Sequence, residues 1–244
     1  MAVTGIGEIP RGADLASLIN EAFVRGGGAL VEGDVLVVAQ KAVSKAEGAS
    51  VDLSGIVPSD FAKSVAQLTG KDPRVVEVVL GESVRIVRMD RGVIITETRH
   101  GLICANAGVD ASNAPGEGIV TTLPKDPDAS ARAIREAIRR MTGSDVAVIV
   151  SDSFGRPWRE GSVNIAVGVA GMAALDDLRG KLDDRGRPLR TSVVAIADEL
   201  ASAAQLAMGE IGQVPAVIVR GYAWQRSDDG AGPLKRSPDR DLFR

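Results

Sequence analysis

Three acidic side chains stand where the sequence predicts that strands or helices end, each beside other oxygen-bearing groups. They are Asp110 in segment 106–113, Asp152 in segment 151–159 and Glu210 in segment 208–213. Oxygen ligands of this kind bind hard cations such as Mg²⁺ and Mn²⁺. Each segment also has a purely structural alternative. Asp110 could form an Asx turn, Asp152 could cap the next segment, and the segment of Glu210 could simply end a helix through Gly209.

Basic side chains occur near the same predicted strand ends. Lys41 and Lys45 follow the predicted strand 35–39, and Arg156 and Arg159 follow Asp152. Lysines could meet phosphate oxygens, and two arginines three residues apart could hold a phosphate or carboxylate through paired hydrogen bonds. The alternative is a solvated surface position, which is the more common outcome for the lysines. Together, acids and bases fit a site where a metal ion bridges a polyphosphate and basic groups neutralise the remaining charge.

The scarcity of cysteine and histidine narrows the chemistry. Cys104 and His100 are the only residues of their types, so a disulfide framework and a Cys/His zinc site are both excluded within the chain. Any Ser-His-Asp or Cys-His mechanism would depend on His100 alone, and both residues are interpreted as structural. A metal ion would therefore be bound through oxygen.

Two common nucleotide-binding motifs are absent. The run from Gly28 to Gly33 comes nearest to a P-loop, but Asp34 follows where the motif has lysine. No G-x-G-x-x-G sequence opens a helix after a predicted strand. A nucleotide would therefore have to bind through a structural motif other than these two.

Composition excludes several classes of partner. The net charge is −3 and no basic face is visible, so nucleic-acid binding is not expected. The N-terminus lacks the pattern of a secretory leader, and no apolar run is long enough to span a membrane. A cytoplasmic protein without a membrane partner is the default expectation.

Periodicity predicts a mixed α/β (α+β) fold with antiparallel strands in the first half and βα units in the second. Helices are expected after Asp14, after Ser59, after Pro73, from about 129 to 142 and over 198–208, and strands at 35–39, 84–87, 93–96, 102–105, 146–150, 192–197 and 215–219. Segments 111–128 and 178–190 are predicted loops. The chain is expected to be one unit, 1–244, and 111–128 is either a functional loop or the junction of two subdomains.

Five runs of the sequence together resemble the coenzyme F420:L-glutamate ligase family, in the family's order and over almost the whole chain. The runs are 5–9 (GIGEI), 40–48 (QKAVSKAEG), 106–113 (NAGVDASN), 151–156 (SDSFGR) and 208–210 (MGE). Some actinobacterial relatives carry an added flavin-binding reductase domain. The sequence ends at Arg244 without one, so the expectation is either a standalone enzyme or the ligase half of such a protein.

The resemblance implies a reaction. GTP would drive amide formation between a carboxylate of the unglutamylated deazaflavin coenzyme and the amine of L-glutamate, and further glutamates would be added through γ-linkages. The expected course is an acyl phosphate that the amine displaces, with GDP and phosphate released. Such a course needs positioning and charge neutralisation and no protein nucleophile or base. The alternatives are a related nucleotide-dependent ligase with another acceptor, or a non-catalytic GTP-binding protein.

The resemblance also implies site residues and an assembly. Asp110 and Asp152 would bind one Mg²⁺ or Mn²⁺ ion, Ser153 and Glu210 a second, and K⁺ would be a further cation. The residues implied in GTP binding are Ile6, Gly7, Glu8, Ile9, Gln40, Lys41, Lys45, Asn113, Met208, Gly209, Glu210, Ile211, Gly212 and Gln213. Archaeal relatives tend to carry small hydroxyl residues in place of Gln40 and Lys41. The family fold would be a two-part structure forming an intertwined homodimer.

Overall fold

A computed structural model of the chain describes residues 1–112 and 116–242. Within these residues the chain forms a mixed α/β structure, as predicted. No helix in this part of the chain is both long and apolar enough to cross a membrane. The α-helices are α1 (Leu15–Arg25), α2 (Gln40–Glu47), α3 (Asp60–Thr69), α4 (Pro73–Gly81), α5 (Pro127–Thr142) and α6 (Ile196–Met208). The strands are β1 (Ala2–Val3), β2 (Val35–Ala39), β3 (Ser50–Asp52), β4 (Ser83–Asp90), β5 (Val93–Thr98), β6 (Ile103–Ala105), β7 (Ile119–Thr121), β8 (Ala147–Arg156), β9 (Arg159–Ala170), β10 (Asp176–Asp177), β11 (Val193–Val194) and β12 (Ala216–Val219).

A five-stranded sheet forms the larger part of the fold, in the order β1-β12-β2-β8-β9. Its central pair, β2 and β8, is parallel, and the other pairs are antiparallel. Successive residues of a strand face opposite sides, so Leu36 and Val38 pack under α1 and α5, whereas Val35 and Val37 pack under α6. Burial on both faces explains why β2 and the start of β8 are continuous apolar runs.

Helix α5 is positioned on this sheet by its caps and by one glycine. The Asp126 carboxylate accepts a hydrogen bond from the amide of Ala129, and Gly143 ends the helix with φ of 75°. A Cβ at Gly168 would lie 2.3 Å from the carbonyl oxygen of Pro127, so only glycine lets β9 approach the helix.

The smaller part of the fold contains the helix pair α3 and α4 and the antiparallel sheet β4-β5-β6. Ser59 caps α3 as predicted, and Asp72 caps α4, which begins at Pro73 where the sequence predicts a helix; each accepts a hydrogen bond from a backbone amide. The buried side chains form a separate apolar cluster that includes Val65, Val79 and Ile94. The antiparallel pairing expected for the three strands is confirmed.

Three predicted boundaries are wrong for identifiable reasons. Segment 111–128 contains strand β7, which pairs with the distant β3, and pairing with a remote segment leaves no local signature. The strand predicted at 192–197 is reduced to β11, because α6 already begins at Ile196. The strand predicted to end at Val150 continues to Arg156, because β9 folds back beside it as a hairpin.

Candidate functional site

A cavity of about 430 Å³ opens at the end of β2, where that strand passes into α2. Its walls come from the N-terminal segment, the start of α2, the hairpin β8-β9, the end of α6 and the segment that leads to β12. The lining residues are Gly7, Glu8, Ile9, Ala39, Gln40, Lys41, Ala42, Lys45, Ser151, Asp152, Ser153, Asn164, Gln205, Met208, Gly209, Glu210, Ile211, Gln213, Val214 and Pro215. Four of the five family-like runs therefore meet at one cavity.

The N-terminus of α2 faces this cavity without a side-chain cap. The N-cap residue is Ala39, which has no side chain to accept from the first amides of the helix. Gln40 is buried and is held by hydrogen bonds to Ser44 Oγ and to the carbonyl of Thr122, at 2.5 and 3.1 Å. Free amides and the helix dipole make such an end favourable for an anion. Gln40 thus anchors the helix, and its side chain is already engaged within the protein.

Two lysines of α2 bring positive charge to the cavity. Lys45 Nζ lies 2.7 Å from Glu8 Oε1, and Lys41 Nζ lies 2.6 Å from Asp110 Oδ2. Both ion pairs keep partial solvent exposure. The lysines are therefore ordered by acidic partners beside the uncapped helix end, which is more specific than the solvated surface position considered from the sequence.

Asp152 is the most perturbed acid in the cavity. Strand β2 pairs with β8 only as far as Ser151, so Asp152 projects just beyond the paired region. Burial raises the pKa of its carboxyl to about 6, against the amide of Ser153 and the charge of Lys41, which lower it. The charges of Asp110 and Glu210 raise this pKa further, which places all three predicted acids within electrostatic reach of one another. The sequence analysis placed Asp152 after the end of a strand, but in the structure it lies within strand β8.

Asp110 follows a short left-handed turn. Asn106, Ala107 and Gly108 all have positive φ, at 53°, 55° and 71°, a sparsely populated conformation for residues other than glycine. The Asp110 carboxylate accepts hydrogen bonds from the Ser112 amide and hydroxyl, at 2.7 and 2.6 Å, as well as from Lys41. Burial raises its pKa, but these hydrogen bonds outweigh burial and lower it below the ordinary value.

Glu210 and Ser153 also line the cavity. Glu210 Oε1 accepts from Gln205 Nε2 at 2.5 Å, and Ser153 Oγ donates to Asn164 Oδ1 at 2.8 Å. Across residues 1–112 and 116–242, no group of three or more carboxylate, histidine or cysteine side chains is already gathered around one point as metal ligands. Asp152 and Glu210 thus line the cavity, and Asp110 adjoins it through its ion pair with Lys41, without a closed cage of ligands.

Some predicted members lie elsewhere. Ile6 packs against the core and Gly212 does not line the cavity. Asn113 lies outside the described residues. Arg156 donates to the carbonyls of Glu160 and Gly161 within its own hairpin. The anion-binding pair suggested for Arg156 and Arg159 is therefore not formed in the cavity, because the Arg156 guanidinium is hydrogen-bonded to the backbone of its own hairpin.

Other residues of the site escaped the sequence analysis. Asn164 is buried and reaches both Ser153 and Ser151 from β9. Its only signal is a polar residue at the start of an apolar run. Cys104 lies near Asp152, and burial, followed by the charge of that carboxylate, raises the pKa of its thiol to about 12. A thiol held protonated is consistent with the structural role predicted for Cys104.

A second cavity of about 410 Å³ adjoins the same hairpin. Its apolar lining includes Leu102, Phe154, Ile165 and Leu234. Its charged lining contains both signs: Lys125, Lys235, Arg236, Asp126, Asp128, Asp198 and Asp241. Asp152 pairs directly with Ile165 across the hairpin. The second cavity therefore begins beside the perturbed carboxylate of the first.

Comparisons with a protein-family model and with known proteins all identify the same ligase family. Residues 5–221 match the family described as F420-0:Gamma-glutamyl ligase. The chain is 49% identical to the coenzyme F420:L-glutamate ligase of Methanothermobacter thermautotrophicus over 247 residues, which covers 100% of this chain and 98% of that protein. It is 52% identical to the protein of the same name from Methanopyrus kandleri over 239 residues, covering 96% and 92%. The relative of that name from Methanocaldococcus jannaschii is 49% identical over 214 residues, covering 87% and 85%.

Proposed function

The chain belongs to the F420-0:gamma-glutamyl ligase family, and from this membership we propose that it uses GTP to join L-glutamate to the deazaflavin coenzyme F420. It is an acid–amino-acid ligase of that family. The observation that supports the proposal best is one cavity that combines an uncapped helix N-terminus with a buried, perturbed carboxylate. The first feature suits a polyphosphate, and the second suits a cation bound to it.

The nucleotide would bind with its phosphates at the start of α2. The amides after Ala39 carry partial positive charge, and Lys41 and Lys45 add two full charges within the same cavity. Glu8 and Ile9 from the N-terminal segment and Met208 to Ile211 after α6 would close the cavity around the rest of the nucleotide. This arrangement would serve in place of the absent P-loop.

The chemistry would proceed in two displacements. An oxygen of the acceptor carboxylate attacks the γ-phosphorus, the bond from that phosphorus to the bridging oxygen breaks, and GDP leaves. The amine of L-glutamate then attacks the acyl carbon, the bond from carbon to the phosphate oxygen breaks, and the amine loses a proton as phosphate leaves. Neither step requires a protein nucleophile, so holding the reactants in line and neutralising their charge are the protein's tasks.

The donor set suits a divalent metal. Asp152 has one carboxylate oxygen engaged by the Ser153 amide and has no direct cationic partner among the residues that the structure describes, an environment in which a hard cation would compensate the buried charge. We assign Asp110 and Asp152 to one Mg²⁺ or Mn²⁺ ion and Ser153 and Glu210 to a second. When bound, the metal would withdraw charge from the phosphates and from the departing oxygens. The residues of this chain hold its position, and the carboxylates remain ionised to do so.

The acceptor would occupy the second cavity. Its apolar wall at Phe154 and Ile165 suits a flat aromatic ring system, and Lys125, Lys235 and Arg236 would pair with the acceptor's anionic groups. Asp152 and Phe154 share one face of β8, because they are two residues apart. The acceptor carboxylate could therefore extend from the second cavity toward the phosphates in the first.

A GDP-release assay with purified substrates tests the proposal. GDP should form only when both L-glutamate and the deazaflavin acceptor are present. Turnover without either substrate would indicate a different ligase or a simple GTPase, and no turnover with both would indicate a binding protein. The same samples would report the addition of further γ-linked glutamates by mass, and light scattering would test the proposed homodimer.

A further inference from the structure

Lys41 is placed differently from a simple phosphate-binding lysine. Its Nζ lies 2.6 Å from Asp110 Oδ2 and 2.6 Å from Ser112 Oγ. The side chain starts from the first turn of α2, whose position is fixed by the buried Gln40. The ammonium group is thus held at the carboxylate from a rigid element.

Both oxygens of the Asp110 carboxylate accept hydrogen bonds while this contact exists. Oδ1 accepts from the Ser112 amide, and Oδ2 accepts from both the Ser112 hydroxyl and Lys41. A divalent ion approaching Oδ2 would come within a few ångströms of the ammonium, and the repulsion between them would be strong in a half-buried site. The ammonium would have to leave before a metal could bind there.

Asp152 presents the opposite situation. One of its oxygens accepts only from the Ser153 amide, and the charge of Lys41 reaches it through space without a direct hydrogen bond. Glu210, whose charge also acts on Asp152, has no cationic partner in the described part of the chain. Among the described residues no hydrogen bond or ion pair joins Lys41 to Asp152, Ser153 or Glu210, so a divalent ion could bind these three without first displacing an ammonium group.

We propose that Lys41 is a built-in cation that fills the metal position at Asp110, so that the nucleotide-free protein binds one divalent ion fewer than its carboxylates could hold. The inference rests on the metal site of the proposed function and deepens it. It makes Lys41 a residue that sets the number of bound metal ions. The first metal would bind toward Ser153 and Glu210, and Asp110 would remain occupied by the lysine.

The test is a count of bound Mn²⁺ in the nucleotide-free protein by electron paramagnetic resonance, in which free and bound ions are distinguished. Lys41→Met should bind one equivalent more than the wild type. Lys41→Arg, which keeps a cation at the position, should bind the wild-type number. Lys45→Met removes a lysine from the same helix and cavity, and it should also leave the count unchanged.

A double variant shows whether the added ion uses Asp110. Lys41→Met combined with Asp110→Asn should return the count to the wild-type value, and circular dichroism should show that all variants are folded. If the wild type and Lys41→Met bind the same non-zero number of Mn²⁺ ions, the proposed role of Lys41 is wrong, while the metal site itself still stands. Equal gains in Lys41→Met and Lys45→Met would overturn the role of Lys41 too, because they would reflect net charge. No Mn²⁺ binding by any of the proteins would refute the metal site of the proposed function itself.

Discussion

Replacement of Asp152 by asparagine should stabilise the metal-free protein at neutral pH while it abolishes ligase activity. Burial raises the pKa of this carboxyl from 3.8 to about 6, so ionisation is costly in the folded state. An asparagine keeps the side-chain oxygen that accepts from the Ser153 amide and carries no charge. Loss of the charge removes the cost of burying it, and it also removes the predicted metal ligand.

The size of the effect follows from the pKa difference. A shift of roughly 2 pKa units corresponds to about 3 kcal/mol in the free energy of unfolding. Because the folded-state pKa is raised, the contribution of Asp152 to stability is fully present below pH 4 and is lost as the pH rises through 6. The side chain keeps some contact with water in the cavity, so we expect a gain of ~1–2 kcal/mol for Asp152→Asn at pH 7.5.

Urea denaturation followed by circular dichroism, with EDTA present, measures this gain. The difference between Asp152→Asn and the wild type should grow from pH 5 to pH 7.5. Asp34→Asn is a matched control, because Asp34 is buried but paired with Arg220 at 2.7 and 2.8 Å. Breaking that pair should lower stability by about 1–3 kcal/mol. An Asp152→Asn protein no more stable than the wild type at pH 7.5 would refute the view that Asp152 is an uncompensated buried charge.

Two further predictions concern the acceptor cavity and the packing of α5. Phe154→Ala should raise the KM for the deazaflavin acceptor and leave the KM for GTP nearly unchanged, as steady-state kinetics would show; an equal rise in both would contradict the separation of the two cavities. Gly168→Ala should lower the free energy of unfolding by about 2–3 kcal/mol, because its Cβ would lie 2.3 Å from the Pro127 carbonyl oxygen. Urea denaturation checks this, and Gly55→Ala, where no heavy atom lies within 4 Å of the added carbon, is the control.

The sequence predicts most helices and the buried strands because their signals are local. Asp14 and Ser59 each cap a helix as expected, α4 begins at Pro73 as expected, and the apolar runs of β2 and of the start of β8 are buried as expected. Each of these features depends on residues within a few positions of one another. Strand β7 depends on pairing with β3, about seventy residues earlier in the chain, and periodicity carries no record of such a partner.

The candidate site divides in a similar way. Asp152 and Glu210 were recognisable by residue type and by the family-like runs, and both line the cavity at the start of α2. Asn164 was missed because its function depends on the hairpin register that places it opposite Ser153. The pairing of Lys41 with Asp110 joins residues 69 positions apart, and the uncapped α2 end depends on Ala39 having no capping side chain. These properties appear only when the chain is folded.

The course of the reaction can be tested with acceptor whose carboxylate carries ¹⁸O. If the acceptor attacks the γ-phosphorus and the amine then displaces phosphate, mass spectrometry should find one ¹⁸O atom in the released phosphate for each amide bond formed with L-glutamate. The amide product should gain one glutamyl residue and lose one labelled oxygen, and GDP should accumulate in equal amount. Amide formation with unlabelled phosphate would contradict the acyl phosphate route, and the absence of a glutamyl product in the presence of GTP and metal would contradict the proposed function.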